Sequence, residues 1–154
     1  MAENYVPIMP VIVVGADTPE GAAIIDRLYA PHREVRVFVT DESKGLELKE
    51  RGFKVAIGDV SDESHVEAAA TRCFSAVLVG AAASDDRLRS FAADREQVLR
   101  GWAKAVTNSK VRRVIWITAD QQPEVGVPEV ARVAPDDPDL ADKVHSLDEA
   151  GSIG

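Results

Sequence analysis

Cysteine is almost missing from this chain of 154 residues: Cys73 stands alone. A single thiol excludes an internal disulfide and a cysteine-based zinc site, and Cys73 reads as a small buried hydrophobe. Long apolar runs are missing too. None approaches the roughly 20 residues that span a bilayer, and no basic-then-apolar leader opens the sequence. A cytoplasmic protein with no membrane partner is expected. Positive charge is scarce, 18 Lys and Arg against 26 Asp and Glu, for a net charge of −8. That balance repels phosphate backbones, so no nucleic-acid partner is expected. His32, His65 and His145 fall in separate segments without the spacing of a metal site, and each reads as structural or solvated. No G-x-S-x-G, Walker loop or Cys/His pair occurs.

What is present is an alternation of two periods. "PVIVV" (10–14) is a continuous apolar run, as in a strand buried on both faces. "PEGAAIIDRLYA" (19–30) has helical spacing, with Ala22, Ile25, Leu28 and Tyr29 on one side. "EVRVFV" (34–39) reads as a second strand, "SKGLELKERG" (43–52) as a helix ended by Gly52, and "FKVAIG" (53–58) as a third strand. "DESHVEAAATRC" (62–73) follows as a helix capped by Ser61 or Asp62, then "SAVLVG" (75–80) as a fourth strand. A long helix is expected from about Asp86 to Asn108, with Leu88, Phe91, Val98, Leu99, Trp102 and Val106 on one face. Trp102 reads first as core and second as the anchor of a dimer face. "VRRVIWIT" (111–118) is the fifth strand, and "KVRR" (110–113) reads as a charged loop leading into it.

Five short apolar strands alternating with four helices predict a single α/β domain over residues 1–120. Its core is a doubly wound parallel sheet of order 3-2-1-4-5. Residues 121–154 read as an acidic, proline-containing tail. Pro123, Pro128, Pro135 and Pro138 leave room for a regular element only at "VARV" (130–133), while "DLADKVHSLDEA" (139–150) fits a last helix. The tail either packs back on the sheet or reaches another chain.

The first strand runs into "GADTPEG" (15–21), the kind of glycine turn that opens a Rossmann-like, dinucleotide-binding fold. Gly15 suits the tight turn and Gly21 the close packing of helix on strand. Thr18 stands where the middle glycine would let backbone approach a pyrophosphate. Asp17 and Glu20 give the positive helix end anionic company, and Thr18 with Pro19 reads as an N-cap followed by proline at the first helical position. Three outcomes stay open for the site: retained, weakened or lost.

Together, "GADTPEG", "GDVSDE" (58–63) and "QVLRGWAKAVTNSKVRRVIWITA" (97–119) resemble the short-chain dehydrogenase/reductase superfamily, in its atypical NmrA-like branch. The resemblance covers roughly residues 10–120, the nucleotide-binding half of such proteins, and implies an NAD(P) cofactor. It implies that Gly15, Ala16, Thr18 and Gly21 line the pyrophosphate and that Asp59 accepts from the adenine amine. Val60 would offer backbone beside it, with Ala81 and Ala82 along the adenine ribose. For Asp59 the competing reading is a helix-capping turn.

The departures are equally informative. Thr40 and Asp41 stand where NADP-binding members often carry an arginine after the second strand. Asp41 could bond a ribose 2′-hydroxyl, which favours NAD over NADP; the preferred reading for it is an exposed loop acid. Lys44 reads as a solvated helix residue. The superfamily's Tyr-x-x-x-Lys is missing, since Tyr5 and Tyr29 are the only tyrosines and neither is placed to reach the carboxyl edge of the sheet. Thr118 lies near the family's catalytic serine and Lys143 has no tyrosine partner, so no catalytic residue is assigned. The substrate-binding half of longer members has no counterpart in residues 121–154.

The leading expectation is therefore a pseudoenzyme: a non-catalytic relative of the reductases that senses a nucleotide weakly or serves as a binding partner, in a homo- or hetero-oligomer. One alternative is an NAD(P)-dependent oxidoreductase completed by another subunit. Another is an interaction protein without any ligand.

Overall fold

A computed structural model describes residues 9–84, 86–87 and 89–153; Tyr5 and Leu88 lie outside them. Among the described residues there are six strands and five α-helices, in the order β1 (Val11–Val14), α1 (Pro19–Leu28), β2 (Val35–Val39), α2 (Glu42–Glu50), β3 (Lys54–Ile57), α3 (Glu63–Ala70), β4 (Ser75–Val79), α4 (Arg95–Ser109), β5 (Arg113–Ile117), β6 (Glu129–Val133) and α5 (Leu140–Glu149). Every pairing is parallel and the order is β3-β2-β1-β4-β5-β6. The expected order of the first five strands holds, and "VARV" belongs to a sixth strand added beside β5.

The apolar runs follow from burial on both sides. Ile12 and Val14 face the same way as Phe38, Leu78 and Trp116, toward α3 and α4, where Val66, Leu99 and Trp102 complete the layer. Val11 and Val13 share the other face with Val37, Val77 and Ile115, packed against Ile24 of α1, Leu48 of α2 and Val144 of α5. Trp102 is fully buried and its indole N–H donates to the Val60 carbonyl at 2.8 Å, so it is a core residue. Cys73 is buried as expected, and burial pushes its thiol up to about 11.

Two expectations are corrected, on α4 and α1, and two alternatives left open, the α3 cap and the tail, are decided. The long helix begins at Arg95 rather than near Asp86, and Phe91 lies on the preceding loop, 68% exposed. The start is set by a reciprocal cap: Asp94 accepts from the Gln97 amide at 2.9 Å, and the Gln97 side chain accepts from the Ala93 amide at 2.7 Å. On α1 the buried residues are Gly21, Ile24, Ile25 and Leu28; Tyr29 is the C-cap and half-exposed. Asp62, not Ser61, caps α3. The tail packs back, with Val133, Leu140 and Val144 in the core beside β1 and β5.

The largest correction concerns "KVRR". Arg113 is not a loop charge; it opens β5 and is fully buried. Its guanidinium pairs with Glu129, its register partner on β6, and donates to the carbonyls of Leu147, Asp148 and Ala150 at 2.7, 3.0 and 2.7 Å. One side chain thus joins β5, β6 and the last turn of α5, lying over the Phe74 ring at 5.0 Å. Removing one member of a buried pair strands the other, which is far worse than replacing both. Arg113→Met should lower the thermal midpoint by roughly 10 °C, and Arg113→Met with Glu129→Leu should recover much of that loss. Thermal unfolding followed by circular dichroism decides it; equal midpoints for the single variant and wild type would show the cluster to be unimportant.

Candidate nucleotide site

The turn between β1 and α1 sits at the carboxyl edge of the sheet, where β1 neighbours both β2 and β4, and this switch point is where doubly wound folds place ligands. Gly15 has φ +95°, and a Cβ there would lie 2.7 Å from the Ala82 Cβ. At Gly21 a Cβ would lie 2.1 Å from the Gly15 carbonyl oxygen, so only glycine lets α1 start this close to β1. Thr18, 2% exposed, caps α1: its hydroxyl accepts from the Gly21 amide at 3.0 Å and donates to the Gly15 carbonyl at 2.7 Å. Pro19 follows at the first helical position. Ala16 is buried in the core on the α1 side.

Asp41 and Asp59 are both engaged by the chain itself. Asp41 caps α2, accepting from the Lys44 amide at 2.9 Å, which is a structural job neither sequence reading had given it. Asp59 does not cap α3. It accepts from the Ser61 amide at 2.8 Å and hydroxyl at 2.5 Å, and from the Ser90 amide at 2.6 Å. The Ser61 hydroxyl in turn accepts from the Phe91 amide at 2.9 Å. The β3–α3 loop therefore grips the loop that follows β4. Burial raises the Asp59 carboxyl, but the donors from Ser61 and Ser90 outweigh it and hold the group below its ordinary value of 3.8. Val60 is buried, its carbonyl taken by Trp102. Ala82 is buried beside Gly15, whereas Ala81 is exposed.

A side chain that sequence reasoning treated only as helix-dipole company proves central. The Asp17 side chain is 2% exposed, and its Oδ2 accepts from the Thr40 amide at 3.0 Å, the Asp41 amide at 3.1 Å and the Arg87 guanidinium at 3.0 Å. Arg87 and Ser90 were not singled out from the sequence, and no local pattern marks them, because both contacts are made across the sheet edge. Together Asp17 and Asp59 hold the loop after β4 at two points.

The other chemistry-bearing residues are dispersed. Tyr29 stacks edge-on against Phe53 and lines a cavity of about 800 Å³ with Met9, Arg33, Phe74 and Asp148, at the amino edge of the sheet. Thr118 is buried with its hydroxyl on the Asp120 carbonyl at 3.1 Å, and Lys143 pairs with Asp137 at 2.5 Å. His65 packs edge-on against Phe38, and His145 meets Glu149 at 3.2 Å. Lys44 lies on the surface beside Glu47 at 3.7 Å, the solvated helix residue it was expected to be. Among the described residues no group of three or more His, Cys, Asp or Glu could hold a metal ion, and no helix is long and apolar enough to cross a membrane.

Comparison with known proteins places this geometry. A family model described as NAD(P)H-binding matches residues 15–138. No curated protein matches the sequence. Among solved structures, an anaerobillin reductase from Escherichia coli O157:H7 is similar, at 20% identity and TM-score 0.55, over 71% of this chain and 50% of that one. An NADPH-dependent quinone oxidoreductase from Escherichia coli, complexed with NADPH, aligns at 19% identity and TM-score 0.58, over 70% of this chain and 36% of that one. A Citrobacter triphenylmethane reductase complexed with NADP(H) gives 17% identity and TM-score 0.57, over 70% and 36%. The chain thus spans half or less of the length of these reductases, and the likeness is one of fold. With the family model covering the turn, the whole crossover to β5 and the β6 strand, the resemblance drawn from the sequence holds: the chain belongs to the NAD(P)H-binding family.

Proposed function

We propose that the chain is a non-catalytic, nucleotide-responsive member of this family, which takes a nicotinamide dinucleotide weakly and reports it through the loop after β4. The observation that carries the reading is that this loop is fastened by two acids of the carboxyl edge, Asp17 in the turn after β1 and Asp59 after β3. In this reading Gly15, Ala16, Thr18 and Gly21 meet the pyrophosphate, Asp59 and Val60 the adenine, and Ala81 and Ala82 the ribose. A dinucleotide would then have to exchange internal hydrogen bonds for its own, the Ser90 amide on Asp59 first. Binding is weakened by that exchange and linked to release of the loop, which carries the exposed Phe91. The chain's own residues bind and orient; the cofactor, when bound, would supply only its shape and charge. Tyr29 lies at the opposite edge of the sheet, and Lys143 is tied to Asp137, which supports a role without hydride transfer.

Titration with NAD⁺, NADH, NADP⁺ and NADPH, followed by thermal unfolding and calorimetric heat, tests the reading. A ligand at about 100 times its dissociation constant adds roughly 2.7 kcal/mol, a shift of several degrees for a domain of this size. A shift at millimolar cofactor without turnover is expected; no shift with any of them would leave the chain as a ligand-free interaction protein. Thr18→Gly should tighten binding about tenfold, because glycine opens the closest approach, while lowering stability by about 1–2 kcal/mol through loss of the buried hydroxyl's bonds to Gly15 and Gly21.

The fastening at Asp59 should depend on pH in a defined direction. Its carboxyl is held below 3.8 in the folded chain, so its contribution is complete above that value and is lost as pH falls through the lower folded one. The Ser90 and Phe91 amide resonances should stay constant on acidification until pH drops below about 3.8, then move together. Asp59→Asn should abolish that transition. Movement at a higher pH, or none in either protein, would detach Asp59 from the loop.

A further inference from the structure

The Asp17 carboxylate lies in a place built for an anion. Two successive backbone amides, Thr40 and Asp41, converge with the Arg87 guanidinium on the single oxygen Oδ2, at 3.0, 3.1 and 3.0 Å. The amides are the first beyond β2, next to the β1 turn. In dinucleotide folds the end of this strand is where the ribose 2′-position is read, as a hydroxyl or as a phosphate. Two amides and a guanidinium would ordinarily recruit a phosphate. Here the chain supplies its own carboxylate instead.

Two orphaned atoms mark the same corner. Of the buried side-chain atoms without a hydrogen-bond partner among the described residues, Asp17 Oδ1 and Thr40 Oγ1 belong to residues already joined by the Thr40 amide bond to Asp17. A buried carboxylate oxygen without a donor is unfavourable. A ribose hydroxyl is a donor of the right kind; a phosphate dianion is not.

From these contacts we infer that Asp17 is the specificity-determining residue of the site, an internal anion that occupies the phosphate seat, refuses a 2′-phosphorylated ribose and accepts one with a free 2′-hydroxyl. This rests on the nucleotide reading only for the ribose; the seat itself can be tested with phosphate alone. Removing the carboxylate should convert the corner into a phosphate site made by Thr40, Asp41 and Arg87.

The experiment compares wild type, Asp17→Gly and Asp17→Gly with Arg87→Gln, using adenosine 2′,5′-diphosphate, 5′-ADP and inorganic phosphate as probes. The readouts are affinity and the amide resonances of Thr40 and Asp41. Wild type should leave those two amides unmoved by phosphate and should not prefer the 2′-phosphorylated nucleotide. Asp17→Gly should prefer it at least tenfold over 5′-ADP, with both amides shifted by inorganic phosphate as well, and the double variant should lose both effects. Asp17→Ser, whose side chain is too short to reach the seat, repeats the test if the glycine variant does not fold. Phosphate that moves the amides in the variant when no adenine nucleotide binds any of the proteins would sink the nucleotide reading and keep the seat. An Asp17 variant that folds, shows no 2′-phosphate preference and leaves both amides unmoved would overturn the inference. So would a wild-type chain that prefers the 2′-phosphorylated probe.

Discussion

The passage from β1 into α1 is closed by one hydroxyl, with Thr18 donating to the Gly15 carbonyl and accepting from the Gly21 amide. This local closure depends on the two flanking glycines, since a Cβ at either would collide with its surroundings. It also consumes a helix N-terminal amide of the kind that would otherwise be offered to an anion. Once the cap is internal, Asp17 can be drawn the other way, to the amides beyond β2 and to Arg87. The carboxyl edge of the sheet is thus arranged around a turn that satisfies itself.

A ligand at such an edge competes with hydrogen bonds already made. Bonds to a charged carboxylate contribute roughly 1.5–3 kcal/mol each, and every 1.4 kcal/mol is about tenfold in affinity. Displacing even one of the contacts on Asp59 or Asp17 without replacing it would therefore move a site from micromolar toward millimolar. This is the physical sense in which the family's fold can be kept while its affinity is lowered, with no change in the sheet.

Much of this was legible in the sequence, for reasons that separate the local from the distant. β1, β4 and β5 are apolar runs because helices cover both faces, and runs are visible one residue at a time. Thr18 as a cap was legible because cap, proline and glycine lie within four residues of each other. The false start of α4 came from Leu88 and Phe91, which have helical spacing; the better signal was Asp94 with Gln97, a reciprocal cap that fixes the helix start. Arg113 was misread because a basic cluster beside a strand looks solvated. Its partner Glu129 is remote in sequence and meets it only through the parallel register of β5 and β6. Asp17, Arg87 and Ser90 were illegible for the same reason: a charge's role depends on what the topology brings to it.

The two fastenings are also coupled by their spacing. Arg87, held by Asp17, and Ser90, held by Asp59, lie within one short loop, so freeing one end leaves the loop held by the other alone. Asp17 stands at the β1–β2 side of the edge and Asp59 beyond β3, so the two anchors flank the place where the proposed reading puts the adenosine. A ligand that satisfied the ribose position alone would meet a loop still tied at Asp59, and one that satisfied the adenine position alone would meet the Arg87 pair. In the proposed reading a nucleoside, unlike an isolated base or phosphate, is long enough to meet both anchors at once, exchanging the Ser90 contact on Asp59 while Asp17 keeps Arg87. In that reading, selectivity for a whole nucleoside would rest on the loop's two anchors.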